Sequence, residues 1–300
     1  MESSRRSLSP APIHLHPTAP LAERVLLPGD PARALLLAQT LLEEPKMFNH
    51  HRGLWGYTGV APDGQTLTIQ STGMGGPSAA IVVSELADLG ATRLVRVGTC
   101  GGLSSRLALG DLLVVDAALP FDGTSRALWP AAAQARSDGG LAPDRGLFDA
   151  LRVAGEEDGS ASAAKEGGST SVPDARSGAP DAGADARSGA NKAGADARSG
   201  ATQAGAVASA TATHAGPVAS TDLFYDTPPE EQEQWLAAGA LAVEMEAATL
   251  FAVARRRSLQ AAALLLVSDL VFPERVRISE EALRDGERRL GQVALSALLD

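Results

Sequence analysis

Three arginines coincide with glycine-containing turns, and they are the first residues of this chain whose type and spacing could do chemistry. Arg33 follows Gly29-Asp-Pro-Ala, Arg96 interrupts the apolar run Leu94-Val-Arg-Val97 just before Gly98, and Arg52 sits in Asn49-His-His-Arg-Gly53. A guanidinium presents a planar fork of donors that suits phosphate oxygens, and glycine turns let backbone N–H groups approach an anion. Arg96 is the most informative, because a charge inside an apolar strand pattern is costly unless a partner meets it at the strand end. That partner is either an anionic ligand or an internal carboxylate, and the same alternative stands for Arg33 and Arg52.

Two carboxylate features complete the set. Glu244 and Glu246 in Val243-Glu-Met-Glu246 precede an apolar helical stretch containing Ala247, Ala248, Leu250, Phe251 and Val253. Acidic groups in such company are either paired or bind hydroxyls, and a carboxylate suits a vicinal diol such as that of ribose. Asp269 follows the apolar run Leu264-Leu-Leu-Val267, where burial would favour its protonated form and a role as proton donor. The alternative is a turn or helix-capping aspartate.

The elements that must position these groups alternate. Residues 24–28, 66–71, 93–97, 111–117 and 262–267 read as strands; 34–42 and 78–89 read as helices, and 240–256 contains another. Each strand ends in glycine or a polar cluster, as in Thr72-Gly-Met-Gly-Gly-Pro77 and Gly98-Thr-Cys-Gly-Gly102. This is the pattern of an α/β fold with ligand groups at strand ends. Gly73-Met-Gly75 is only a fragment of a dinucleotide fingerprint: Ser78 holds the third glycine position, so the sequence gives no good case for a nicotinamide cofactor.

Composition bounds the rest. The chain has 300 residues, 31 Gly, and only 6 Phe, 3 Trp and 2 Tyr, yet 44% of it is apolar, so the shortage of core residues is local. From residue 154 to 222 there is no Leu, Ile, Met or aromatic residue, and an 11-residue unit recurs from Asp174, Asp185 and Asp196. Such a period can mark a helical supercoil, but each unit carries two Gly and only Ala as apolar content. Residues 154–215 therefore read as a disordered low-complexity insert in a domain formed by 1–153 and 216–300. The net charge of −10 argues against nucleic acid, although local arginines can still bind a small phosphorylated ligand. A single cysteine, Cys100, excludes a disulfide framework and a Cys-based zinc site, and the five histidines form no metal-ligand arrangement. Ser4-Arg-Arg-Ser7 lacks the apolar segment of an export signal, and 261–267 is too short to span a membrane, so a soluble, cytoplasmic protein is expected.

In order along the chain, Pro12-Ile-His14, Val25-Leu-Leu-Pro-Gly-Asp-Pro-Ala-Arg33, His51-Arg-Gly-Leu-Trp-Gly-Tyr-Thr58 and Ser71-Thr-Gly-Met-Gly-Gly-Pro-Ser78 form an ordered set of motifs. It continues with Arg96-Val-Gly-Thr-Cys-Gly101, Ser220-Thr-Asp-Leu-Phe-Tyr225, Val243-Glu-Met-Glu-Ala247 and Val267-Ser-Asp269. The chain thus resembles the hexameric-type purine nucleoside and uridine phosphorylases, most closely the bacterial purine enzymes. The resemblance implies a single-domain, three-layer α/β/α fold with a central mixed, twisted sheet flanked by helices. It implies phosphate binding by Gly29, Arg33, Arg96 and Thr99, with Arg52 from a neighbouring subunit. It also implies ribose binding by Met74, Met245 and Glu246, with Glu244 beside them and His14 from the neighbour. Phe224 would stack on the base near Val243, Cys100 and Gly101, and Asp269 would protonate purine N7, assisted by an arginine that is either Arg284 or Arg277.

The implied reaction is reversible phosphorolysis of purine ribo- and deoxyribonucleosides in salvage. Phosphate is the co-substrate, with no metal or organic cofactor, in a homo-oligomer, a hexamer built as a trimer of dimers. Uridine phosphorylases instead carry an asparagine-like residue at the Asp269 position and a Gln/Arg pair for uracil; here Thr227-Pro-Pro229 occupies that region. The aspartate favours purine and implies tolerance of 6-amino and 6-oxo bases. A nucleosidase using water is disfavoured by the three arginines together, and a non-catalytic nucleoside binder by the complete acid, phosphate and ribose set.

Overall fold

The computed structural model describes residues 12–130, 139–167 and 211–299. Ten strands form one mixed sheet: β1 (Arg24–Leu27), β2 (Glu43–Asn49), β3 (Gly56–Val60), β4 (Thr66–Gln70), β5 (Arg93–Gly102), β6 (Leu112–Pro120), β7 (Thr213–Ser220), β8 (Ala242–Glu244), β9 (Gln260–Leu270) and β10 (Val276–Arg277). Their order is β10-β9-β6-β7-β8-β5-β1-β4-β3-β2, with β9 also pairing β5. The pairings β5–β9, β9–β6, β6–β7, β7–β8 and β8–β5 therefore close part of the sheet into a ring.

Among the described residues seven α-helices accompany it: α1 (Pro31–Leu41), α2 (Gly76–Leu89), α3 (Gly123–Leu128), α4 (Arg145–Gly167), α5 (Pro229–Ala237), α6 (Ala247–Arg257) and α7 (Glu280–Ser296). Helices α2, α3 and α6 pack together, and α1 and α4 pack against α7. Val82, Leu86, Leu250 and Phe251 fill one core with one set of strand side chains, while Leu37, Leu151, Leu290 and Val293 fill another with Val95, Val97 and Leu264. Strands covered on both faces are apolar throughout rather than alternating, which is why β1 and most of β9 read as continuous runs. No helix among the described residues is long and apolar enough to cross a membrane.

Local chemistry sets the helix starts beside the strand ends. Asp30 caps α1 by accepting from Ala32 N at 2.9 Å, with Pro31 in the first turn. Gly75, at φ 84°, precedes α2, which ends at left-handed Gly90.

Three boundaries differ from the sequence reading. The segment Gly98 to Gly102, expected as a turn, continues β5: a Cβ at Gly98 would lie 2.7 Å from Arg96 Nη2, and one at Gly101 2.8 Å from Val271 Cγ2. These glycines permit close approach within a strand, not a reversal. Likewise β9 carries Asp269 inside the strand rather than after it. The insert expected to begin at 154 is instead helical through Gly167, and β7 starts at Thr213. Both flanks are held: Ala154 is buried, and Arg289 Nε meets Asp158 Oδ2 at 2.5 Å while Nη2 donates to Thr211 O at 3.0 Å. The 11-residue repeats lie outside the described residues.

Candidate active site

The ends of β1, β5, β8 and β9 open into one cavity of about 920 Å³. At its arginine end, Arg96 projects from β5 and is 5% exposed. Its Nε donates to Glu244 Oε2 at 3.1 Å and its Nη2 pairs with Glu246. Burial works against this charge, but Glu246 and Glu244 outweigh it and hold the Arg96 pKa above the ordinary arginine value. Its Nη1 has no partner although buried. A Cβ at Gly29 would stand 4.0 Å from that nitrogen and 3.3 Å from Gly73 O, so glycine leaves room in front of an unused donor. Arg33 lies nearby in the same lining, with Nε on Glu287 Oε1 at 2.8 Å, and Thr99 joins it. Arg33 and Arg96 thus each have an internal carboxylate, and Arg96 also keeps one buried donor without a protein partner beside Gly29.

Glu244 and Glu246 divide their work. Glu244 accepts from the Ser220 hydroxyl, Arg96 Nε, Glu246 N (2.9 Å) and Ala247 N (3.0 Å). A carboxylate offers about four acceptor positions, so Glu244 has none left for a sugar hydroxyl. It caps α6 and holds Arg96, and the ribose role expected for it does not fit this geometry. Burial pushes its pKa up, against the opposing pull of Arg96. Glu246 accepts from Gly75 N at 2.6 Å and from Arg96, faces the cavity, and has Met245 and the 84%-exposed Met74 beside it in the lining.

At the far end Asp269 is 7% exposed. Ser268 Oγ donates to its Oδ1 at 3.0 Å, and Arg275 Nε lies 3.5 Å from its Oδ2. Cys100, Gly101 and Val243 form the wall, and Phe224 packs edge-on against Tyr225 with centroids 4.8 Å apart. Burial, with Glu244 and Asp269 nearby, pushes the Cys100 thiol far up, which makes it a wall residue and not a nucleophile.

Residues 23–299 match the family model described as "Phosphorylase superfamily". The chain belongs to the phosphorylase superfamily. One superfamily relative, the DeoD-type purine nucleoside phosphorylase of Jannaschia sp. (strain CCS1), is 33% identical over 268 residues, 87% of this chain and 88% of that protein. The DeoD-type purine nucleoside phosphorylase of Clostridium perfringens (strain SM101 / Type A) is 30% identical over 280 residues, 93% and 94% of the two chains. Among solved structures, uridine phosphorylase from Vibrio fischeri ES114 superposes with a TM-score of 0.67, covering 98% of each chain at 24% identity, and so shares the superfamily fold.

Within this superfamily site most expected residues meet, and three do not. Gly29, Arg33, Met74, Arg96, Thr99, Cys100, Gly101, Phe224, Val243, Met245, Glu246 and Asp269 all line the cavity. Arg284 is exposed on α7 outside the lining, whereas Glu287 of the same helix turns inward to Arg33. Arg277 does line the cavity and is the register partner of Asp269 across β9 and β10. The arginine in contact with Asp269 is a third one, Arg275, which the sequence reading missed. Arg275 and Arg277 follow the expected acid by six and eight residues, with no strand-length period to mark them.

His14 and Arg52 lie outside the lining of their own chain's cavity. They share one surface: His51 Nδ1 contacts His14 O at 3.2 Å, and Arg52 follows at φ 57°. His16, exposed in a loop, stacks on His51 with ring centroids 3.8 Å apart. Glu85 fixes this strap by accepting from His14 Nδ1 at 2.7 Å and from Leu15 N at 2.7 Å. Burial alone would raise the Glu85 pKa, but these hydrogen bonds outweigh it and hold it below the usual glutamate range. The bond also leaves His14 Nε2 as the outward nitrogen.

Proposed function

We propose that the protein is a purine nucleoside phosphorylase, a pentosyltransferase that converts a purine ribo- or deoxyribonucleoside and inorganic phosphate into free base and pentose 1-phosphate. The observation that carries this is the pairing of chemistries in one cavity: an unpartnered buried Arg96 Nη1 in front of Gly29 at one end, and the carboxyl of Asp269 at the other. The superfamily and the purine relatives at 30 to 33% identity support it.

In this reading Arg96, Arg33, Gly29 and Thr99 hold phosphate, while Glu246, Met245 and Met74 hold the sugar. Phe224, Val243, Cys100 and Gly101 enclose the base. The C1′–N9 bond breaks with its electron pair passing to the base, and a phosphate oxygen bonds to C1′. Asp269 delivers a proton to N7, and the proton lost by hydrogen phosphate makes good that transfer. Two charges develop in the transition state: a cationic sugar, met by the phosphate, and an anionic base, met by the acid. The protein needs no cofactor besides phosphate as co-substrate and works in cytoplasmic purine salvage. The assembly is a hexamer, a trimer of dimers, in which His14 and Arg52 complete the neighbour's sugar and phosphate subsites. Their position outside their own cavity supports that assignment. Asp158, Thr211 and Arg289 at the root of the low-complexity insert are not in the lining, which supports a reading in which the insert takes no part.

Base release from inosine, adenosine and uridine, with and without phosphate, tests the proposal. Purine release that requires phosphate is expected. Release without phosphate would make the protein a nucleosidase, and uridine as the best substrate would overturn the purine assignment.

A further inference from the structure

Arg275 occupies a position that none of the sugar- or phosphate-binding groups explains. Arg277 is the register partner of Asp269 across β9 and β10, and Arg275 lies just before β10. Its Nε is 3.5 Å from Asp269 Oδ2 and its guanidinium carbon is 5.0 Å from the centre of the Phe224 ring. The guanidinium is therefore within reach of both the acid and the stacking ring, at the rim of the cavity that all three line.

A guanidinium carries donors and no acceptor. In a purine stacked on Phe224 with N7 at Asp269, the next group along the same edge is the C6 substituent. A 6-oxo group there is an acceptor and makes a charge-assisted hydrogen bond with Arg275. A 6-amino group is a donor, so two sets of donors face each other and neither is satisfied. The contact also strengthens during reaction, because electrons released by the breaking C1′–N9 bond spread onto O6 of a 6-oxopurine.

We propose that Arg275 is a specificity-determining residue that makes this site selective for 6-oxopurine nucleosides over 6-aminopurine nucleosides. The inference rests on the phosphorylase reading and narrows the tolerance of both bases that Asp269 alone implies.

The test compares kcat/KM for inosine and adenosine in the unaltered enzyme, Arg275→Gln and Arg275→Lys, with affinities for hypoxanthine and adenine measured by calorimetry. The Arg275 side chain is 38% exposed just before the two-residue strand β10, so the variants are expected to melt as the unaltered protein does. The unaltered enzyme should prefer inosine by about 10-fold or more, the scale of one hydrogen bond to a charged group. Arg275→Gln should lose about 10-fold more with inosine than with adenosine, beyond any loss common to both from the missing Asp269 contact, and Arg275→Lys should regain part of the preference. An unaltered enzyme without the preference, or equal losses on both substrates in Arg275→Gln, would overturn the proposal. Failure of the phosphorylase reading looks different: no phosphorolysis of either nucleoside, with hypoxanthine still bound more tightly than adenine. Equal affinity for the two bases overturns the selection itself.

Discussion

Arg96, Glu244 and Glu246 at one end of the cavity are 4 to 6% exposed, whereas Phe224 and Tyr225 at the other are 50% and 74% exposed. The first group hangs from β5, β8 and the start of α6, and each member is tied to the others. The second lies outside any strand or helix, with Arg275 resting on the Phe224 ring. Asp269 stands between them, inside β9 but reached by Arg275. On the phosphorylase function proposed above, the difference would let one cavity handle two tasks. Charges that must meet a developing charge are held in place before the ligand arrives, because reorganising them during reaction would cost energy. Groups that distinguish one flat base from another sit where they can adjust at little cost to the fold.

The comparison breaks first at Arg96. Arg96→Gln leaves Glu244 and Glu246 buried without their cation, and loss of one partner of a buried pair costs about 3–5 kcal/mol. Thermal melting should fall well below that of the unaltered protein, together with its use of phosphate; an unchanged melting temperature would mean that the buried network does not depend on this charge. The next largest effect is expected at Asp269. Asp269→Ala should lower kcat by about 10²- to 10⁴-fold, the range for a general acid, with a much smaller change in nucleoside binding. Full turnover in that variant would remove Asp269 from the chemistry. The smallest effect sharpens the boundary between the two ends. Because burial pushes the Cys100 thiol up, the thiolate that reacts with alkylating agents is scarce at neutral pH. Native protein should resist iodoacetamide near pH 7.5 and denatured protein should react; rapid native alkylation would show that the open end reaches down to the cavity wall.

Much of this site was legible from residue type and position. Arg96 and Asp269 stood out because a charge next to an apolar run needs a partner, and Arg33 because it follows a glycine turn; each has a hydrogen-bond partner. What could not be read was which partner. Glu287 is some 250 residues from Arg33 in the chain (their hydrogen bond spans 254 positions), and nothing local to either announces the other. Glu244 and Glu246 looked equivalent in Val243-Glu-Met-Glu246, yet β8 ends between them. Glu244 points to the α6 backbone and Arg96, and Glu246 to Gly75 and the cavity. Arg275 was missed for a related reason. The turn at Phe272-Pro273 broke the pattern, so the return strand that brings it back to Asp269 was too short to show a period.

The sequence by itself determined the alternation of strands and helices, the strand-end location of the charged groups, and the low-complexity character of the repeats. Those properties depend on neighbours within a few residues: apolar periodicity, glycine where the backbone must pass closely, and composition too poor in large apolar groups to bury a core. Only the tertiary structure decided that Glu244 spends its hydrogen bonds on Arg96, Ser220 and the start of α6, that Arg275 and not Arg284 touches Asp269, and that the root of the insert is folded. Each of those is a contact across many residues, set by sheet register and by which side chain satisfies a buried charge. The energy of such a pair is not written at either position alone.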